Sequence, residues 1–174
     1  MDVLGNKRVA PDSWDFETHA EGPAGKIEFS AKMLINEPSG NIFAQSQNVG
    51  MGWDPKKLWG TQYMILSTMG GMRSDDGTPI ALGHHTGHFE LGMLIKTAAE
   101  QIQEMGGVPY TAYCSDPCDG RSQGTSGMMD SLPYRNDAAI VMRRLSRSIP
   151  TTKGVLGIAT CDKGCLLYTS DAAD

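Results

Sequence analysis

Three short segments of this 174-residue chain carry side chains that bind metals. The first holds His84, His85 and His88, the second Cys118 and Asp119, the third Cys161, Asp162 and Lys163. Thiolates and imidazoles suit soft or borderline metals, including the iron of iron–sulfur clusters. Carboxylates suit a hard ion such as Mg²⁺. A Cys directly precedes an Asp twice, at 118–119 and at 161–162. Neighbouring side chains on a turn can point to different sides. One turn can thus serve a soft centre with its Cys and a hard ion with its Asp, and two such turns would place both metals close together. Each residue alone has a plainer reading. A lone Cys after a strand is more often a small buried residue, and a lone Asp there is usually a helix N-cap. The three histidines lie at a helix start, where at least one is expected on the surface or behind a ligand. Cys114, at the end of a strand, reads as structural, and His19 carries no signal. Only the joint pattern points to chemistry.

Apolar patterning supplies the elements that must position these segments. Residues 78–82 form a short apolar run after Asp75-Asp76-Gly77 and read as a strand. Over residues 89–105, Leu91, Leu94, Ile95, Ala98, Ile102 and Met105 fall at helical spacing and stop at Gly106-Gly107. Residues 108–113 read as a strand and 115–131 as a Gly/Ser-rich loop. Residues 133–148 read as a helix, with a stripe of Ile140, Val141, Leu145 and Ile149. Residues 154–160 read as a buried strand. This order predicts right-handed crossovers and a parallel sheet. Each of the three strands is followed by one metal-binding segment, and ligands of open parallel sheets bind beyond the carboxyl ends of the strands. Upstream, residues 30–35 read as a short helix closed by Pro38-Ser39-Gly40, and Asp54-Pro55 as a helix start. For residues 63–66 periodicity does not separate strand from helix. The fold class is α/β: a parallel sheet with flanking helices over residues 31–164, preceded by an irregular arm over residues 1–30.

Apolar residues at 40% and charged residues at 20% fit a soluble globular protein. A net charge of −5 without a basic stripe argues against nucleic-acid binding. The N-terminus has no apolar signal region, and no run approaches ~20 apolar residues, so a cytoplasmic protein without a membrane span is expected. In a reducing compartment the four cysteines point to metals or chemistry rather than to disulfides. Residues 165–174 resemble the translation of a sequencing-library adapter. Read so, they form a non-native tail, Cys165 is not a natural residue, and a C-terminal part is missing.

Four blocks carry a resemblance: Gly107-Val108-Pro109, Cys118-Asp119-Gly120, Gly127-Met128-Met129-Asp130-Ser131-Leu132 with Arg135, and Cys161-Asp162-Lys163. In order and spacing they resemble the dihydroxy-acid and phosphogluconate dehydratase family. Met33-Leu34-Ile35-Asn36, Pro38-Ser39-Gly40, Gly50-Met51-Gly52-Trp53 and Ser115-Asp116-Pro117-Cys118-Asp119-Gly120-Arg121 look like its xylonate dehydratase branch. The resemblance covers roughly residues 15–164 and implies a partial N-terminal dehydratase domain. It implies a hydro-lyase that removes water from a 2,3-dihydroxy sugar acid, with an iron–sulfur cluster, [2Fe-2S] or [4Fe-4S], and Mg²⁺ as cofactors. By position, Cys161 would be a cluster ligand, and Asp119 and Asp162 Mg²⁺ ligands. Lys163 would be the lysine that such enzymes can carbamylate. The family's usual first cluster cysteine is absent. Aligning His88 with a family histidine puts His85 at that position, where an imidazole can replace the thiolate. Cys118, His84 and His88 rank behind these. The remaining ligands and the catalytic base would lie beyond residue 164, so the chain alone is expected to be inactive and the full-length protein to be a homo-oligomer. Two rivals stand beside this reading: a zinc hydrolase using His84, His85, His88 and Asp119, and a non-catalytic α/β domain.

Overall fold

The computed structural model describes residues 17–22, 25–115, 118–160 and 164. The chain divides into two compact units, Met1–Trp59 and Gly60–Asp174. In the first, β1 (Glu17–Gly22) and β2 (Gly25–Ser30) pair antiparallel. The irregular arm expected over residues 1–30 is therefore a hairpin from Glu17 onward. Alternation in Lys26-Ile27-Glu28-Phe29 buries Ile27 and Phe29, a signal obscured by the surrounding Pro and Gly. Ser30 Oγ accepts from the Met33 N–H at 3.2 Å and starts α1 (Ala31–Asn36). Helix α1 ends at Asn36, ahead of Pro38-Ser39-Gly40 as expected, but the same residues also start a second helix. Pro38 opens α2 (Ser39–Gly50), where a residue without an N–H removes no hydrogen bond. Asp54 caps a single 3₁₀ turn, Pro55–Lys57, accepting from the Lys56 N–H at 3.0 Å. Ile27, Phe29, Val49 and Leu58 form the core of this unit, with Met33, Ile42 and Trp53 packed against it.

The second unit contains β3 (Gln62–Thr68), β4 (Met72–Arg73), β5 (Pro79–Ala81), α3 (Thr86–Glu104), β6 (Val108–Cys114), α4 (Asp119–Ser122), α5 (Ser131–Ser146) and β7 (Gly154–Ile158). Its sheet is parallel and three-stranded, in the order β6-β3-β7. The fold class is thus α/β with a parallel sheet flanked by helices. The first strand of that sheet differs from the expected one. Residues 78–82 contribute only β5, which pairs antiparallel with β4 in a separate exposed hairpin. The central strand is β3, which contains the ambiguous run Tyr63-Met64-Ile65-Leu66. It is buried on both faces, so its sequence shows no alternation.

Successive side chains of β3 point to opposite faces. Ile65 packs with Leu91, Ile95 and Ile102 of α3. Met64 and Leu66 pack with Ala138 and Met142 of α5. The crossover β3–α3–β6 runs one way along the sheet and β6–α5–β7 runs the other. Right-handed connections then require the helices to lie on opposite faces, as they do. On α3 the inward face is Leu91, Ile95 and Ile102, while Leu94 and Met105 stay exposed. On α5 the stripe is Ala138, Met142, Leu145 and Ile149 rather than one including Ile140 and Val141, which are exposed. No described helix is long and apolar enough to cross a membrane.

Leu91 is fully buried and Leu94, one turn on, is 55% exposed. Leu91→Ala is expected to cost about 2–5 kcal/mol, and Leu94→Ala within about 0.5 kcal/mol of zero. Urea unfolding of both variants checks this; equal losses would contradict the packing. The β4–β5 turn gives a second expectation. The Ser74 hydroxyl, with the Thr78 backbone N–H, donates to the Asp76 carboxylate and lowers its pKa from 3.8 to about 2. A carboxylate depressed on folding stabilises fully above its unfolded pKa and loses that effect as pH falls through the folded one. The turn should therefore loosen between pH 3.8 and about 2, which ¹³C-carboxyl NMR of Asp76 follows.

Candidate metal centre

Beyond its last residue, Thr68, β3 leads through Met69-Gly70-Gly71 and the hairpin to the start of α3. His85 is extended (φ −158°, ψ 179°) and caps that helix, its Nδ1 accepting from the Gly87 N–H at 3.0 Å. His88 follows one turn later and is fully buried. The His85 and His88 rings meet edge to face at 4.4 Å between centroids, and His84 and His88 at 5.2 Å. Glycines make room for His88. A Cβ at Gly70 would lie 3.2 Å from its Nδ1, and one at Gly83 would lie 3.1 Å from its Cβ. At Gly71, φ is +83° and a Cβ would sit 2.3 Å from the Phe89 ring, so only glycine fits both the conformation and the space. Burial, then the neighbouring His85 and His84, pull the His88 pKa below its ordinary value. This favours the neutral imidazole, the form that binds metals.

The second segment leaves β6 beside β3, in the register Thr68↔Cys114. Cys118 precedes α4 and is buried, as is the next residue, Asp119. Ser131, the first residue of α5, donates its hydroxyl to Asp119 Oδ1 at 2.6 Å in the interior. Tyr134, one turn further, donates its hydroxyl to the Ser115 carbonyl. A carboxylate is costly to bury unless hydrogen bonds or a cation compensate. A cleft of about 340 Å³ opens here, lined by His84, Cys118, Asp119, Arg121, Ser131 and Tyr134 among others.

Adjacent strands β3 and β6 send their connections to opposite faces of the sheet. Such a switch point leaves a crevice beyond the carboxyl ends of the strands, and both segments flank it. Donor atoms of His85, His88 and Cys118 all lie within 4.8 Å of one another. Cys118 and His88, ranked second from sequence, therefore sit with His85 at the centre of the cluster. His84 is exposed on the cleft wall and Asp119 lies beside it. Cys161, Asp162 and Lys163 lie outside the described residues, as does the tail 165–174. The residues bracketing the third segment are described. Thr160 Oγ1 lies 3.8 Å from the position a Cβ would take on Gly87, and such an atom on Gly164 would lie 3.8 Å from Thr68 Oγ1. Cys114 packs against the Met64–Leu66 core, as a structural residue would.

Sequence reasoning missed the roles of Ser131 and Tyr134. Ser131 stood in a quoted block, but a hydroxyl twelve residues from its acceptor leaves no local spacing signal. The donor chemistry fits two kinds of metal. Two imidazoles and a thiol suit a borderline or soft metal, and the buried carboxylate fits a hard cation.

Comparison with known proteins gives a consistent result. Residues 81–166 match the family model described as dihydroxy-acid/6-phosphogluconate dehydratase N-terminal. The chain is 60% identical over 147 residues to the Escherichia coli (strain K12) D-xylonate dehydratase YagF, covering 84% of this chain and 22% of that protein. It is 55% identical over 153 residues to D-xylonate dehydratase YjhG of the same strain, covering 88% of this chain and 23% of that protein. A dihydroxy-acid dehydratase of Archaeoglobus fulgidus is 32% identical over 77 residues, covering 44% of this chain and 14% of its own length. The chain thus spans about a fifth of the length of the curated xylonate dehydratases it matches. By the model matched over residues 81–166, and by its identity to relatives across most of its length, the chain belongs to the dihydroxy-acid/6-phosphogluconate dehydratase family.

Proposed function

We propose that the full-length protein is a cytoplasmic sugar-acid dehydratase, converting D-xylonate or a similar aldonate to its 2-keto-3-deoxy acid. The observation that carries this reading is a soft donor set next to a buried carboxylate, at the switch point of a chain 60% identical to a D-xylonate dehydratase. Water loss from a 2,3-dihydroxy acid needs help at two places: the departing 3-hydroxyl, and the carboxylate with its 2-hydroxyl. When bound, an iron–sulfur cluster would supply a Lewis acid for the first, and Mg²⁺ would neutralise charge developing at the second.

His85, with Cys161, would hold the iron centre. Asp119, with Asp162 and a carbamylated Lys163, would hold Mg²⁺. Ser131 donates to one oxygen of Asp119, which fixes the orientation of the carboxylate. Arg121 on the cleft wall offers a planar guanidinium to the carboxylate of an acid. The glycine cradle and the buried His88 keep water from one side of the site. Exposed apolar side chains on α3, α5 and β7, among them Met93, Ile140 and Val155, fit burial against further parts of a homo-oligomeric protein.

Supplied with iron, sulfide and Mg²⁺, the full-length protein should form a 2-keto acid from D-xylonate, and the 174-residue chain should form none. Semicarbazide trapping of the product reads both. Turnover by the short chain would overturn its predicted inactivity. A colourless full-length protein with stoichiometric zinc and no action on aldonates would overturn the dehydratase reading in favour of a hydrolase. Asp119→Asn in the full-length enzyme should lower kcat by about 10²–10³-fold, the scale of losing one charge-stabilising group. Ser131→Ala should raise the Mg²⁺ concentration for half-activity by about 10–100-fold, with kcat restored at saturation. A Mg²⁺ titration of the variants separates the two roles.

A further inference from the structure

The cleft beside Asp119 is lined by a second carboxylate, that of Asp130. We propose that Asp130 is a specificity-determining residue: its carboxylate accepts hydrogen bonds from the distal hydroxyls of the substrate and so selects a polyhydroxylated tail over an alkyl one. The inference rests on the dehydratase reading and says which kind of dihydroxy acid that site takes.

The hydroxyls of the lining have spent their protons. Ser122 donates to the Cys118 carbonyl at 3.3 Å, Thr125 to the Ser122 carbonyl at 2.7 Å, Ser131 to Asp119 Oδ1 at 2.6 Å, and Tyr134 to the Ser115 carbonyl. A hydroxyl has one proton to give and two lone pairs, so towards a ligand these four can only accept. Two further charged side chains of the lining, Arg121 and Asp130, make no hydrogen bond or ion pair with another described residue. Arg121 suits the carboxylate of an acid. The rest of the ligand then faces acceptors and must bring donors of its own.

Hydroxyls do so, and an alkyl tail does not. Among the described residues no aliphatic side chain lines the cleft. An alkyl tail would gain little apolar contact there and would strip water from Asp130 without replacing it. A phosphorylated tail would meet the carboxylate as a like charge. A sugar acid offers what the cleft lacks: one carboxylate and a row of hydroxyls.

Position supports the same role. Asp130 directly precedes Ser131, whose hydroxyl holds Asp119, so the acceptor for the tail is tied to the carboxylate at the reacting end. An Asp at a helix start is usually a cap. Asp130 stands at the start of α5, yet its side chain makes no cap bond, and it is exposed.

Kinetics of the full-length enzyme on two acids test this. One is D-xylonate. The other is 2,3-dihydroxybutanoate of the same configuration at both hydroxylated carbons, which keeps the reacting groups and ends in a methyl. Wild type should prefer D-xylonate. Asp130→Ala should lower kcat/KM for D-xylonate by about 10–100-fold, the scale of a hydrogen bond to a charged group, mainly through KM. It should raise kcat/KM for 2,3-dihydroxybutanoate, whose methyl no longer desolvates a charge. Asp130→Asn, which keeps an acceptor, should lose less on D-xylonate than Asp130→Ala. A wild type without the preference, equal losses on both acids, or a preference unmoved by Asp130→Ala overturns the assignment and leaves the dehydratase reading intact. A wild type that dehydrates neither acid overturns both.

Discussion

Strand β3 is hydrogen-bonded on both edges and packed on both faces, and the second unit is built around that constraint. Its side chains Met64, Ile65 and Leu66 are almost wholly removed from water. A strand without a solvent face cannot slip register without breaking two ladders and two helix contacts together. The connections leaving its carboxyl end and that of β6 therefore start from fixed points. The imidazoles come from one connection, and the thiol and buried carboxylate from the other.

Fixed starting points matter because the donor groups are unfavourable neighbours. Three imidazoles, a thiol and a carboxylate converge where water is partly excluded. Burial and the adjacent rings disfavour protonation of His88, which favours its neutral, lone-pair-bearing imidazole. The Asp119 carboxylate is buried and held by the Ser131 hydroxyl. The donor types present are those that suit a borderline ion at the nitrogens and sulfur and a hard ion at the oxygens. Small residues permit the approach: Gly70, Gly71 and Gly83 occupy positions where a side chain would strike His88, Phe89 or the facing backbone.

Errors in the sequence reading have physical causes. The run 78–82 looks like a sheet strand because it is apolar and follows a turn, yet Ile80 and Leu82 are exposed; composition does not reveal which partner covers a strand. The true central strand lacked alternation because both its faces are buried. Helix α2 was hidden by Pro38-Ser39-Gly40, whose turn chemistry is equally suited to a helix start. The α3 and α5 helices were legible because a 3.6-residue period survives in any helix with one wet face. On α5 the stripe was displaced by a few positions, since Ile140 and Val141 are apolar without being inward.

Local chemistry belonged to the sequence alone. It determined the donor types in the three segments, the α/β order of the second unit, and the blocks that mark the family. Residue types and short spacings carry such information without reference to anything distant. Tertiary structure decided which donors meet. Cys118 joins His85 and His88 because β6 pairs with β3 in one register, and Asp119 finds Ser131 because α5 begins beside α4. Contacts between residues 12 to 33 positions apart depend on strand order and crossover direction. Those follow from burying both faces of one sheet at once, a global condition that no single stretch of chain encodes.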